Sequence, residues 1–364
     1  MAYTTINDPS EYFNILRYKG NGRAGTVTRP IIGTGFKPDW LWIKNRTSSG
    51  GAGENVVFDT TRGNTKDVYT NKNEAEHTNS DVLLSFDADG FTVGRSGTVN
   101  ERNSNFVAWQ WKANGGTTTT NDASATGVGS VDSVYQVNST SKFGIMTYTA
   151  TGSGNITVAH GLGSSPKVVF TKVRDQAFNW VVGHHKIASD FSSGASLNSN
   201  NAAADNSDAF GDTAPSSTVF TMGNGGNANN NYQSGDDIVA YYFDEVQGFS
   251  KFGSYTGNGD ADGTFVYTGF KPAWLLIKNT ADTADWTMWD ATRYPTNPQN
   301  IQLYANLNNA EDSPSTSTII DLLSNGFKLR GTNNKINGSS DKIIYMAFAE
   351  SPFVTSNETP NNAK

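Results

Sequence analysis

"GFKPDWLWIKN", from Gly35 to Asn45, returns late in the chain as "GFKPAWLLIKN", from Gly269 to Asn279. In the first copy Trp40 and Trp42 alternate with Leu41 and Ile43, so an extended strand there is apolar on both faces. The second copy alternates Trp274 and Leu276 with Leu275 and Ile277. A weaker echo, "GLGSSPKVVFTK" from Gly161 to Lys172, sets Val168 and Phe170 against Val169. Such a strand is covered on both sides, or on one side by a neighbouring module. Pro38, Pro166 and Pro272 stand just before it, where a missing N–H does least harm. Lys44, Lys172 and Lys278 are read as the points where it emerges into water. The phrase is scaffold.

The echo belongs to a longer repeat. "YFNILRYKGNG", "KFGIMTYTATGSG" and "KFGSYTGNG" open three copies. "VVFDTTR" matches "TMWDATR", and "VYTNKNEAE" matches "LYANLNNAE". "DGFTVG", "VFTMG" and "NGFKLR" follow, and "FVAWQWKA", "IVAYYFDEV" and "IYMAFAESPF" close the copies. Asp-Gly in "FDADGF" and Asn-Gly in "LSNGF" lie between apolar runs and predict two hairpins. Each copy reads as about seven short strands, so the predicted fold is all-β, three tandem β-sandwich modules.

The boundaries predicted are a docking segment at 1–11, module 1 at 12–113, a Gly/Thr/Ser linker at 114–141, a divergent module 2 at 142–247, module 3 at 248–353 and a tail at 354–364. Module 1 is expected to be tethered, with modules 2 and 3 forming a rigid block.

Composition narrows the function. The chain has 364 residues and a net charge of −7, with no cysteine. No basic patch is present for nucleic acid, and no thiol is available for disulfides, thiolate metal sites or nucleophilic catalysis. No window approaches the apolar length of a membrane span. The opening "MAYTTINDPSEYFN" lacks the basic flank and apolar core of a secretory signal.

Motifs of chemistry are sparse. "GNGRAG" fits a dinucleotide pattern, yet β-branched residues and a proline follow where a helix should begin, so a turn is read. His77, His160, His184 and His185 show no metal-ligand spacing, and the adjacent pair His184 and His185 is expected to point to opposite faces. No serine elbow is present. Asp87 with Asp89 and Asp260 with Asp262 lie in Asp/Gly turns, which leave only a weak possibility of calcium and no metal site to assign. No cofactor and no catalytic residue is assigned, and the chain is read as a non-enzyme. Asp59 with Arg62 and Asp290 with Arg293 repeat as charge pairs, either structural or on a ligand rim. The ligand-contact candidates are these four together with Trp180 and His184. A long polar stretch at 188–217 is the candidate variable contact surface.

Taken together, "YTTINDPSEYF", "GFKPDWLWIKNR", "FDTTRG", "VAWQWKANGG", "LLSNGFKLR" and "IYMAFAESPF" resemble a family of marine bacteriophage (cyanophage-type) virion proteins, often labelled tail-fibre or structural. The resemblance covers nearly the whole chain outside 114–141 and 188–217. It implies concanavalin-lectin-like β-sandwich modules and a place on the particle surface after synthesis in the host cytoplasm. It also implies other virion proteins as partners, and host attachment as a tail fibre or spike through weak multivalent glycan contacts. The alternative is a capsid decoration or head-fibre protein docking on other virion proteins. Phage fibres suggest a homo-oligomer, taken as a trimer. No nucleic-acid partner and no membrane insertion are expected.

Overall fold

The computed structural model describes residues 3–22, 28–205, 207–224 and 230–361. The first stretch of chain forms β1 (Phe13–Lys19), β2 (Arg29–Ile32), β3 (Trp40–Asn45), β4 (Asn55–Asp59), β5 (Gly63–Tyr69), β6 (His77–Thr78), β7 (Leu83–Asp87), β8 (Gly90–Val93) and β9 (Asn105–Trp111). The second forms β10 (Thr119–Asn121), β11 (Ser133–Asn138), β12 (Phe143–Thr149), β13 (Ile156–Ala159), β14 (Val168–Val173), β15 (Val181–His184), β16 (Ser193–Ser196), β17 (Ala204–Asp205), β18 (Val219–Met222) and β19 (Asp237–Phe243). The third forms β20 (Ser250–Thr256), β21 (Phe265–Tyr267), β22 (Phe270–Asn279), β23 (Thr287–Asp290), β24 (Leu303–Tyr304), β25 (Ile320–Leu323), β26 (Gly326–Leu329) and β27 (Lys342–Pro352). The fold is all-β, built from antiparallel sheets as the alternation predicts.

Each stretch contributes one large and one small sheet, and we call each pair a unit. Unit 1 sets β1-β9-β3-β4-β5-β6 against β2-β8-β7. Unit 2 sets β10-β11-β12-β19-β14-β15-β16-β17 against β13-β18, and unit 3 sets β20-β27-β22-β23-β24 against β21-β26-β25. A separate apolar core fills each sandwich. The two predicted hairpins form, with Asp87 opposite Gly90 and Leu323 opposite Gly326. In the "KFG" openings, Gly144 and Gly253 face Tyr242 and Tyr345 on the paired strand. A Cβ at either glycine would overlap that tyrosine ring, which is why a residue with weak strand preference sits mid-strand.

The units share a fourth, central core. Trp40, Trp42, Val168, Phe170, Trp274 and Leu276 all lie in it, whereas Leu41, Ile43, Val169, Leu275 and Ile277 turn into the sandwich cores. The second cover of the doubly apolar strand is therefore the other two units. Cross-strand register makes Trp111, Phe243 and Phe348 equivalent, since they lie opposite Trp40, Val168 and Trp274. Their rings meet as a triangle, with centroids 6.4, 5.6 and 5.6 Å apart. The three sheets thus pack around one centre in quasi-threefold fashion. Aromatic rings suit this position because each buries about 150–250 Å² and still packs edge to face.

Several expectations need correction. The stretch 114–141 is no linker: β10 and β11 lie in it and extend the large sheet of unit 2. Its Gln136 amide donates to the Thr60 and Thr61 hydroxyls, and Asn138 donates to the Ala113 carbonyl, both in unit 1. Unit 1 is therefore locked to the others through the central core and is not tethered. Residues 3–11 do not hang free for docking, because Thr4, Ile6 and Pro9 are buried and Asn7 bonds Ser356 near the C-terminus. The stretch 188–217 holds β16 and β17 and buries Phe191, Ala195, Leu197, Ala209 and Phe210, so part of it is wall, while 212–214 and 216–217 stay exposed. Pro272 lies inside β22, at a bulge where the ladder to β27 is interrupted, which is where a strand tolerates proline. The "GNGRAG" turn lies partly outside the described residues.

Candidate functional site

The same bonds recur at the three seams between units. Register places Asn55, the first residue of β4, at the position equivalent to Trp180 and Trp286, which immediately precede β15 and β23. Asn55 of unit 1 donates to the Tyr304 carbonyl of unit 3 at 3.1 Å. Trp180 of unit 2 donates to the Tyr69 carbonyl of unit 1 at 2.8 Å, and Trp286 of unit 3 to the Ser196 carbonyl of unit 2 at 2.9 Å. Backbone bonds from Glu311 to Arg46, Glu76 to Arg174 and Ala203 to Thr280 repeat the same cycle. The ring of units is closed.

The three lysines of the repeated phrase lie in these seams and do not emerge into water. Lys44, Lys172 and Lys278 are buried, and each ammonium donates across its seam, to the carbonyls of Leu307, Asn73 and Asn200. Lys44 also donates to the Gly53 carbonyl. Burial pushes the Lys44 ammonium down to about 7, against a smaller opposing pull from Glu54. Burial brings Lys172 and Lys278 down to about 8. A lysine at the end of an apolar strand reads as an exit only while its neighbours are unknown.

The ligand-contact candidates are buried too. Asp59 and Arg62 have side chains 0% exposed and meet at 2.5 Å; Asp290 and Arg293 do the same. At the first seam Arg62 reaches Glu76 and the Tyr241 hydroxyl of unit 2, Tyr241 donates to Asp59, and Arg174 of unit 2 clamps Glu76. At the equivalent seam Arg293 reaches Glu311, Arg46 of unit 1 clamps Glu311, and Trp109 of unit 1 donates to Asp290. Burial would raise the Glu76 carboxyl, yet the Arg174 and Arg62 guanidiniums overcome it and hold the group at about 2. Arg46 and Arg293 depress Glu311 against burial in the same way. These pairs are seam locks and no ligand rim.

At the remaining seam His184 takes the place of Asp59 and Asp290, since it lies opposite Val168 as they lie opposite Trp40 and Trp274. Its Nδ1 accepts the Lys186 amide at 3.0 Å, so the proton sits on Nε2 and is given to the Tyr345 carbonyl of unit 3. Burial, with help from His185 nearby, lowers its imidazole to about 3. His185 does not point away: the two rings lie 5.4 Å apart, and its Nε2 meets the Phe252 carbonyl, also of unit 3. Trp180, the remaining candidate, is 0% exposed.

The aspartates of these turns have hydrogen-bond or ion-pair partners within the chain. Asp87 accepts from Ser85 and Thr92, Asp89 from the Gly33 and Gly35 amides, and Asp262 pairs with Lys328. Among the described residues no three His, Asp or Glu side chains are grouped to hold a metal ion. No helix among them is long and apolar enough to cross a membrane.

Among the described residues, a pair of adjoining clefts of about 420 and 500 Å³ shares Tyr3, Glu245 and Gln247 as a common wall, and a separate cleft of about 300 Å³ is lined by Thr120, Asp132, Arg174 and Asp237. Tyr267, 55% exposed, lines the first. The Tyr3 hydroxyl donates to the Gly269 carbonyl at 2.8 Å and lies 3.2 Å from the Tyr267 hydroxyl. Sequence reasoning passed over these residues. The one legible signal is "FVY" in β21, where Val266 is buried and Phe265 and Tyr267 face out; the equivalent β2 reads "RPII".

Closed rings of paired antiparallel sheets define the class: an all-β protein of sandwich-like units. The chain belongs to the family described as a domain of unknown function (DUF7483), whose profile matches residues 8–352. The match ends on the last residue of β27 and spans all three units, so the family's domain is the whole ring. No curated protein matches the chain, and no solved structure matches it.

Proposed function

We propose that this protein is a bacteriophage virion surface protein of tail-fibre or spike type, without enzymatic activity, that attaches the particle to host-cell glycan through weak multivalent contacts. The observation that carries this reading is the contrast between a locked ring and an open, tyrosine-walled pair of clefts on its surface. The buried titratable clusters described above serve the seams. The resemblance to marine phage virion proteins supplies the setting, and the acidic surface suits protein and glycan partners better than nucleic acid. A threefold arrangement, expected from trimerisation, is already present within one chain.

That internal arrangement favours a second reading as well. A quasi-threefold monomer matches a threefold position on a particle, as a capsid decoration or head fibre docking on other virion proteins would need. Gold labelling or cryo-EM of intact particles separates the two. Label on tail appendages, with loss of adsorption when the gene is deleted, supports attachment. Label over the head with normal adsorption overturns it in favour of decoration.

A further inference from the structure

We infer that the paired clefts around Tyr3 and Tyr267 form one groove for a neutral, hydroxyl-rich oligosaccharide chain. This rests on the attachment reading for its biological purpose, though not for its chemistry. Each cleft falls within the roughly 300–1,000 Å³ of small-ligand sites. Sugar rings present an apolar C–H face and a rim of hydroxyls, so they need flat aromatic surface beside paired donors and acceptors. The groove offers both. Tyr267, 55% exposed, lines the first cleft, and Phe265, 44% exposed, stands beside it on the same face of β21 about 6.6 Å away by strand rise, outside the lining of both clefts. Tyr3 continues that aromatic surface into the second cleft.

The polar wall of the first cleft is matched to hydroxyls and not to ions, while Lys142 lines the second. Glu245 and Lys251 neutralise each other at 2.8 Å, and a second Glu245 oxygen accepts the Phe252 amide at 2.9 Å. Gln247 is exposed and lines both clefts. An amide and a hydrogen-bonded carboxylate can each span adjacent hydroxyls. Tyr3 is held by its two hydrogen bonds, and the strap that carries it is anchored by buried Thr4 and Ile6. The wall is thus set before a ligand arrives, which reduces the ordering cost of binding. Its parts come from the N-terminal strap, the junction between units 2 and 3, and β21, so the groove exists only when the ring is closed.

The test is titration of the purified full chain with cellohexaose, laminarihexaose, maltohexaose and a heparin hexasaccharide, followed by calorimetry or NMR. Saturable binding of at least one neutral hexasaccharide is expected. It should weaken about tenfold or more in Tyr267→Ala and in Gln247→Ala, and stay unchanged in Ile32→Ala, an exposed apolar residue on the equivalent strand of unit 1. Both groove positions are solvent-facing, and thermal melts confirm that the variants fold. Binding of none of the neutral sugars, of heparin alone, or equally by wild type and both variants overturns the groove. Failure here, with adsorption still dependent on the protein, leaves attachment standing without this groove. Sugar binding by a protein found over the head, with normal adsorption, leaves the groove standing and removes attachment.

Discussion

The seam between units 1 and 2 and the seam between units 2 and 3 share a geometry and differ in chemistry. In the first, Asp59, Arg62, Glu76 and Arg174 form a buried, alternating charge network completed by Tyr241. In the second, neutral His184 and His185 meet two backbone carbonyls of unit 3. The seam between units 3 and 1 repeats the charged version. The backbone cycle and the central aromatic triangle are common to all three, so the fold specifies the ring and the side chains at these positions specify how each joint responds to conditions. A buried ion network is sensitive to loss of any member, whereas a neutral imidazole bonded to a carbonyl is sensitive to acid.

The largest effect should come from what the seams share. Trp111→Ala removes one corner of the triangle and should cost about 3–5 kcal/mol, with all three units melting in one transition by calorimetry. Separate transitions would show that the central core does not couple them. Next, Arg62→Ala strands Asp59 and weakens Glu76 at a seam where all three are buried, at about 3–5 kcal/mol. His184→Ala leaves the Tyr345 carbonyl without its donor, at about 1–3 kcal/mol. Equal losses in urea melts of the two variants would erase the distinction between the joints.

Acidity sharpens it further. The His184 imidazole, at about 3 when folded, and His160, at about 4, both lie below the ordinary histidine value of about 6.5. The unfolded chain therefore binds more protons as pH falls through 6.5, and stability drops from there down to the folded values. The charged seam begins to weaken only below about 4.5, where unfolded glutamates take up protons while Glu76, at about 2, does not. Urea midpoints at pH 7, 5.5 and 4 should fall for wild type, and fall less for His184→Gln.

The buried lysines act in the same direction at higher pH. With folded values of about 7 for Lys44 and about 8 for Lys172 and Lys278, the unfolded chain holds more protons between those values and about 10.4. Stability should rise from pH 7 to 9, and a flat profile there would place those ammonium groups in contact with water. The smallest change is expected at the exposed pair of Arg95 with Asp81, 3.1 Å apart and about half exposed. Arg95→Ala should shift stability by about 0–1 kcal/mol.

The repeated Asp and Arg of copies one and three were legible as a pair, and the sequence also showed copy two departing from it at "VVGHHK". Glu76 and Glu311 were visible inside matching landmarks, yet nothing marked them as partners of those arginines. Arg46 and Arg174, each two residues past the repeated lysine, were equally unmarked. Arg46 and Arg174 reach those glutamates from a different unit, and sequence separation carries no information about which unit a residue will face. Tyr3 and Tyr267 were hidden for the same reason, being 264 residues apart and joined only by ring closure.

The sequence by itself determined the strands, their two apolar faces, the Asp-Gly and Asn-Gly hairpins and the order of equivalent segments, because periodicity and turn chemistry are local. Only the tertiary structure decided what covers each face. It turned a linker into strands, three apparent exits to water into buried seams, and a free N-terminal segment into one wall of a groove. The physical reason is that burial is a property of a closed surface. A lysine, a polar stretch or a tyrosine is inside or outside according to what packs against it, and at the seams part of that packing comes from another unit.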